Sequence, residues 1–145
     1  MMAYRLFQIG QQRYAINSQS VYEIIKWRQP TSLPYSNIAV MGMIAWKGGL
    51  VPVIDLLRFW SVIKDEQQTQ YRQILIMQRK TKGEQIAPLL GIGISRALMV
   101  NTLEEKAIQF ISSNEPMRTA IKGSMMTSQG VITVLSSEII GQIVQ

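Results

Sequence analysis

The chain is expected to be mainly β, a single domain over residues 1–145 in which two related β-subdomains share a core. Three observations lead there. The apolar runs Met43-Ile44-Ala45-Trp46 and Leu50-Val51-Pro52-Val53-Ile54 are too short for typical helices, and the second is rich in β-branched residues, which favours strands. Between them stands Lys47-Gly48-Gly49, and Gly48 and Gly49 can adopt the positive φ values that tight hairpin turns demand. The pattern then recurs, because Gly42, Gly49 and Val53 are matched by Gly123, Gly130 and Val134, 81 residues later in each case. A glycine before a strand, a glycine in the turn, an apolar strand and a capped helix repeat in one order, as in a duplicated unit. Any two hairpins followed by helices share part of that order, so the echo alone leaves independent origins open.

In chain order, Tyr4–Ile9 and Arg13–Ile16 flank Gly10-Gln11-Gln12 and form an opening hairpin. Ser18–Trp27 fits two periods: Val21, Ile24 and Ile25 lie at helical spacing, while Tyr22, Ile24 and Ile25 also suit a strand. Pro30 and Pro34 stop any helix. In the central hairpin Pro52 has no ladder donor, so its strand lies at an edge, at a bulge, or with that nitrogen facing outward. Asp55 is a good N-cap for one or two helical turns over Leu56–Trp60. Ser61–Gln70 turns polar, and Lys64-Asp65-Glu66-Gln67-Gln68 is the sharpest composition break, dividing approximate halves 1–62 and 70–145.

The second half opens with a strand at Gln73–Gln78 and a basic hairpin tip, Arg79-Lys80-Lys82 before Gly83. A long apolar run follows from Gln85 to Val100, interrupted by Gly91 and Gly93, which mark a bulge or a barrel bend. These glycines are no phosphate loop, since no Gly-Lys-Ser or Gly-Lys-Thr follows them. Asn101–Arg118 is irregular, with one short strand expected near Ile108–Ile111. Thr119–Met126, the turn Ser128-Gln129-Gly130 and Val131–Leu135 make a last hairpin, and Ser136 or Ser137 caps a closing helix through Val144.

The central stretch carries a family resemblance. Gly42-x-x-x-x-Lys47-Gly48-x-x-Val51-Pro52-Val53-Ile54-Asp55-Leu56 resembles the signature of CheW-like domains, the adaptor modules of bacterial chemosensory arrays. Val21-Tyr22-Glu23-Ile24 resembles that family's Val-x-Glu-Ile, and Thr31-Ser32-Leu33-Pro34 its approach to the central hairpin. Departures occur at Ala45, where the family has Asn, at Lys47, where it has Arg, and at Ile94-Ser95, where it has Val-Asp. The resemblance implies two SH3-like five-stranded β-barrels packed side by side around a shared core, with short helices, and a turn followed by a strand over Ser18–Trp27. It implies a non-catalytic adaptor whose first barrel, near the Gly42 and Gly49 hairpin, binds the regulatory domain of a CheA-like histidine kinase. A groove between the barrels would take the helical cytoplasmic tip of a chemoreceptor. The partner-binding residues carried over are Val21, Glu23, Gly42, Met43, Lys47, Gly48 and Gly49. Glu23 and Lys47 are expected to face each other across neighbouring strands, with lysine lacking the bidentate fork of arginine. The departures point to a divergent member and leave open whether it serves chemotaxis, phototaxis or surface motility.

Composition narrows the chemistry. In 145 residues, 47% apolar content is ample for a core. No apolar run approaches the roughly 20 residues that span a bilayer, and the N-terminus lacks the basic-then-apolar layout of a signal peptide, so a cytoplasmic location without membrane insertion is expected. With no cysteine there is no disulfide or thiolate metal site, and with no histidine the common zinc and acid–base chemistries lose their usual residues. Asp55 reads as a cap, Glu104, Glu105 and Glu115 fall in no acid–base motif, and no serine has a histidine to activate it. No catalytic, cofactor-binding or metal-binding residue is assigned, and neither enzyme activity nor a cofactor is expected.

The net charge of +6 invites an acidic protein, nucleic acid or an anionic membrane, but the fifteen basic residues are spread along the chain. A basic β-barrel binding single-stranded nucleic acid is the alternative function; it requires aromatic and basic residues interleaved along a groove, and the sequence does not interleave them. A small-molecule sensor or a structural subunit finds no distinctive pocket signature. Met41, Met43 and Met126 flank the two hairpins and suit either core filling or an adaptable partner surface. Trp46 and Trp60 are expected in the core.

Overall fold

Alternation along each strand sends one set of side chains into a barrel and the other to solvent or to a second core. The computed structural model describes residues 2–34, 37–61, 69–78, 89–111 and 118–144. The basic tip Arg79-Lys80-Lys82, the polar connection Lys64–Gln68, Glu115 and Pro116 lie outside them. The strands are β1 (Met2–Ile9), β2 (Gln12–Asn17), β3 (Val21–Lys26), β4 (Val40–Trp46), β5 (Gly49–Ile54), β6 (Gln73–Gln78), β7 (Leu89–Ile94), β8 (Arg96–Leu103), β9 (Gln109–Phe110), β10 (Ile121–Thr127) and β11 (Gly130–Leu135). Two helices, α1 (Leu56–Phe59) and α2 (Ser137–Gln142), follow β5 and β11.

One sheet runs β3-β6-β7-β5-β4 and the other β8-β1-β2-β11-β10-β9. In the first, the chain beyond β3 continues to Thr31, which exchanges main-chain hydrogen bonds of 2.9 Å with Met43 on β4. In the second, β8 passes through a 3-10 turn at Glu105–Ala107 and continues as β9, which pairs with β10. Each sheet thus curls until its bent first strand meets its own hairpin, giving five strands per barrel once β8 and β9 are taken as one bent strand. We call these the central barrel (β3 to β7) and the composite barrel (β1, β2 and β8 to β11).

The expected halves 1–62 and 70–145 do not coincide with the barrels. The opening hairpin β1–β2 pairs with β8 and, in parallel, with β11, while β6–β7 from the second half complete the central barrel. The chain crosses between barrels at the 3-10 turn Ser18–Ser20 and at Ser95, not at the polar break. Hydrogen-bond demand decides this: the hairpins β1–β2 and β6–β7 each find open edges in a sheet assembled from distant sequence.

Three cores result. Ile44, Trp46, Val51, Val53, Ile74 and Ile76 fill the central barrel, and Tyr4, Leu6, Ala15, Leu103, Ile108, Ile132 and Val134 fill the composite one. Between the barrels, Phe7, Tyr14 and Ile16 pack against Leu75, Met77, Ile92, Leu56 of α1 and Ile140 of α2. Trp60 stacks on Tyr14, which stacks on Phe7, at centroid distances of 5.6 and 5.7 Å, so Trp60 joins the shared core as expected. Trp46 is buried inside the central barrel.

The internal echo extends to atomic detail. Register shifts occur between Val40 and Gly42 and, 81 residues on, between Ile121 and Gly123. Asp55 N donates to Ala39 O at 2.8 Å, and Ser136 N to Ala120 O at 2.8 Å. Both hairpins end in a capped helix, with Asp55 accepting from Leu57 and Arg58 and Ser136 accepting from Ile139. Two turn assignments are corrected. The positive φ values fall at Lys47 (47°) and Gly48 (80°), while Gly49 is the first residue of β5, paired with Trp46. In the second hairpin the positive φ lies at Gly130, after the two turn residues. Pro52 is accommodated because the ladder of β5 with β7 begins only at Val53.

Gly91 and Gly93 also differ from expectation. The β6–β7 register is unbroken across them, so the expected bulge is absent. A Cβ on Gly91 would stand 2.8 Å from Ile74 Cγ2, and one on Gly93 3.3 Å from the Tyr71 ring, so the glycines leave room for side chains packed over the strand.

Gly42 shows how narrow the barrel closure is. A Cβ there would lie 2.2 Å from Thr31 O at φ +151°, and one on Gly123 2.5 Å from Gln109 O, whereas Gly48 faces open space. Gly42→Ala and Gly123→Ala are therefore expected to destabilise the domain by about 3 kcal/mol or more, against about 1–2 kcal/mol for Gly48→Ala, which meets only left-handed strain. Urea denaturation of the three variants checks the order, and a tolerated Gly42→Ala would refute the close-approach argument.

Candidate functional site

The turn that joins β4 to β5 projects Lys47 from the end of the central barrel. Because barrel closure brings the two outer strands of the sheet together, Lys47 meets β3 rather than a hydrogen-bonded neighbour. Its Nζ lies 3.5 Å from Glu23 Oε1, 4.8 Å from the Trp46 ring centroid and 5.5 Å from that of Tyr22. Tyr22 and Trp46 pack edge to face at 5.6 Å. The expected approach of Glu23 and Lys47 is thus present, across the barrel seam. An ammonium shared between a carboxylate and two rings is held in a defined place although it remains exposed. Beside it, Leu50 and Tyr22 are 70% and 50% exposed, an apolar flank for a charged centre.

The carried-over residues divide by position. Glu23, Lys47, Gly48 and Gly49 lie together at this surface. Met43 is half-buried opposite Pro52, and Val21 is half-buried against the shared core. Gly42 is buried, and the backbone of Thr31 accounts for its lack of a side chain. Of the flanking methionines, Met41 packs on the central core while Met126 is exposed. Sequence reasoning missed Tyr22 and Leu50. For Leu50 the signal was alternation, since it precedes the inward-facing Val51 on β5, whereas Tyr22 sits at a register shift of β3 where alternation gives no signal.

Below the patch, Asp55 anchors the end of β5. It is fully buried, and its Oδ1 accepts from Leu57 N at 3.0 Å, Arg58 N at 3.2 Å and the Tyr71 hydroxyl at 2.7 Å. Arg58 Nε lies 3.7 Å from Oδ2. Asp55 is therefore a cap, as expected, that also ties α1 to the start of β6. Burial, and then the hydrogen bond to Asp55, push the Tyr71 phenol well above its ordinary pKa of 10.0. Ser95, where the resemblance departs from Val-Asp, accepts from Gly10 N through Oγ at 2.8 Å. The crossing between barrels needs a side-chain acceptor, and serine supplies one.

The sequence model of the CheW-like domain matches residues 3–143. The chain belongs to the CheW-like domain family. A probable chemotaxis protein CheW of Rhizobium etli is 28% identical over 103 residues, which cover 71% of this chain and 62% of that protein, less than two thirds of its length. The protein FrzA of Myxococcus xanthus is 36% identical over 55 residues, 38% of this chain and 34% of its own. The scaffolding protein TtCheW from Thermoanaerobacter tengcongensis shares the fold, with a TM-score of 0.73 and 20% identity over 92% of this chain and 83% of its own. Within this CheW-like domain no helix among the described residues is long and apolar enough to cross a membrane.

Two outcomes follow. A double-mutant cycle on Glu23→Ala and Lys47→Ala is expected to give a coupling of about 0.2–1 kcal/mol, because both side chains are about half exposed to screening water. Urea titration of the four proteins measures it, and strict additivity would dissolve the pair. Tyr71 is held neutral in the fold with its pKa raised, so its contribution is complete below the unfolded value of 10.0 and is lost as pH climbs above it. Unfolding free energies measured from about pH 8 to pH 11.5 should fall more shallowly for Tyr71→Phe than for the parent.

Proposed function

We propose that this CheW-like domain is a non-catalytic adaptor coupling a chemoreceptor-type protein to a CheA-like histidine kinase in a bacterial chemosensory array. The observation that carries the reading is the Tyr22–Glu23–Trp46–Lys47 cluster. In a family of scaffold proteins, this chain concentrates a fixed cation, a carboxylate and exposed apolar surface at one end of the central barrel. Such a patch suits a protein interface, where an aromatic-supported charge gives orientation and apolar surface gives affinity. The kinase regulatory domain is assigned to this end, with Gly48, Gly49 and Leu50 at its centre and Met43 at its margin. The receptor tip is assigned to the groove between the barrels beside Val21, where a helix can lay an apolar face.

Single-stranded nucleic acid is the weaker occupant. Its stacking platforms need several exposed rings along a cationic groove, whereas Trp46 is buried and Lys47 is paired with Glu23. Lysine in place of arginine at position 47 gives a point charge without a planar fork, so the contact made there is looser.

Titration of the 15N-labelled domain with the regulatory domain of the cognate kinase is expected to shift the amides of Tyr22, Lys47, Gly48 and Leu50. Lys47→Glu should weaken the affinity by at least about tenfold. Absence of binding at about 100 µM kinase domain would overturn the assignment. Retention of nucleic acid through a nuclease-treated, high-salt purification would favour the other reading.

A further inference from the structure

The two barrels close along equivalent seams, but only one is sealed. Each seam lies between the first strand of a barrel and the tip of its hairpin, and register identifies the matching positions. Val21 pairs with Met77 and Ile24 with Leu75 in the central barrel; Ala97 pairs with Phe7 and Val100 with Arg5 in the composite one. Tyr22 and Glu23 therefore correspond to Leu98 and Met99, and Trp46 and Lys47 to Thr127 and Ser128. In the central barrel an aromatic pair, a cation and a carboxylate lie across the seam. In the composite barrel the same four positions offer no ring and no charge, and the seam remains a cavity of about 430 Å³.

The walls of this cavity are of two kinds. Leu6, Leu98 and Ile132 provide apolar surface, and Met99 stands 62% exposed at its edge. Arg13 and Arg96 lie on either side of it, on β2 and β8, both in register with Gln8 of β1 between them. Arg13 donates to Gln129 Oε1, and Arg96 Nε donates to Gln8 Oε1 at 3.1 Å. Both acceptors are neutral amides, and among the described residues neither guanidinium forms an ion pair. Two positive charges beside a cavity that is apolar at Leu6, Leu98 and Ile132 and polar at Asn101, Thr127, Ser128 and Gln129, with no carboxylate among the described residues of its lining, complement an anion attached to an apolar group. The composite sheet ends at β8, which pairs only with β1 in its ladder, and at the seam its main chain is met by side chains, Ala97 N donating to Gln73 Oε1 at 2.7 Å and Leu98 O accepting from Arg5 Nη1 at 2.8 Å.

We propose that the open seam docks an extended acidic segment of a partner protein. An apolar side chain of the segment enters the cavity, and an adjacent aspartate or glutamate meets Arg13 and Arg96, which bind carboxylates through planar forks. The segment is extended so that alternate side chains reach the cavity and the two arginines. This site is on the opposite barrel from the Lys47 patch and does not depend on the adaptor reading.

The test uses the whole domain and fluorescein-labelled ten-residue peptides read by anisotropy and by amide shifts. A peptide alternating glutamate with leucine is expected to bind and to shift Met99, Ser128 and Gln129. Peptides alternating glutamate with serine, or lysine with leucine, are expected not to bind. The Arg13→Gln/Arg96→Gln double variant should lose at least about tenfold in affinity, with its melting temperature unchanged. Met99→Glu, at an exposed position, should also block the peptide by giving the arginines an internal carboxylate. The proposal is overturned if the glutamate–leucine peptide fails to bind at about 1 mM, if its shifts map to another surface, or if both variants bind it as well as the parent. Binding of octanoate without binding of the peptide would also overturn it, in favour of a small amphiphile.

Discussion

Burial of two hairpins on both faces is the constraint on which the rest of this structure depends. β1–β2 and β6–β7 each send one set of side chains into a barrel and the other into the layer between barrels: Ile74 and Ile76 point one way, Leu75 and Met77 the other. Strands buried on both faces read as continuous apolar runs, and Gln73–Gln78 does. A barrel of five short strands has little interior, so the shared layer supplies much of the apolar area that holds each barrel in shape. The two capped helices and the Phe7–Tyr14–Trp60 stack complete that layer, with Trp60 Nε1 donating to Thr119 O at 2.6 Å.

Duplication then sets a frame whose repeated parts are the ones that geometry will not release. The bulge before each hairpin, the glycine facing a closing backbone, the main-chain bond from the cap residue and the cap itself all recur 81 residues apart. What differs is the side-chain lining of the seams. One seam carries Tyr22, Glu23, Trp46 and Lys47; the other carries Leu98, Met99, Thr127 and Ser128. A common scaffold can therefore present two chemically distinct surfaces.

Local chemistry explains which expectations held. The three hairpins at Gly10, Gly48 and Gly130, the caps at Asp55 and Ser136, and the strand at Gln73–Gln78 depend on neighbours within a few residues, so they were legible. Ser18–Trp27 was ambiguous by period, and the structure resolves it as a 3-10 turn and β3, as the family resemblance implied. Turn detail was less secure: φ is positive at Lys47 and Gly48, because the right-handed twist of the strands selects a two-residue turn and leaves Gly49 inside β5. The bulge expected at the β7 glycines is absent; nothing local reveals that Ile74 and Tyr71 lie over them.

By itself, the sequence determined the β class, the repeated glycine and cap positions and the capped helices, because period, turn chemistry and capping act over short separations, while the residues expected around the central hairpin came from the family resemblance. The tertiary structure alone decided which hairpin completes which barrel, and so replaced two sequential halves with one central and one composite unit. It also decided that the expected approach of Glu23 and Lys47 runs across a barrel seam rather than between hydrogen-bonded strands, and that the matching seam stays open between Arg13 and Arg96. Those outcomes follow from pairing of strand edges and closure of sheets, which bring together residues 119 positions apart in the pairing of Arg13 with Ile132. No local pattern encodes that distance.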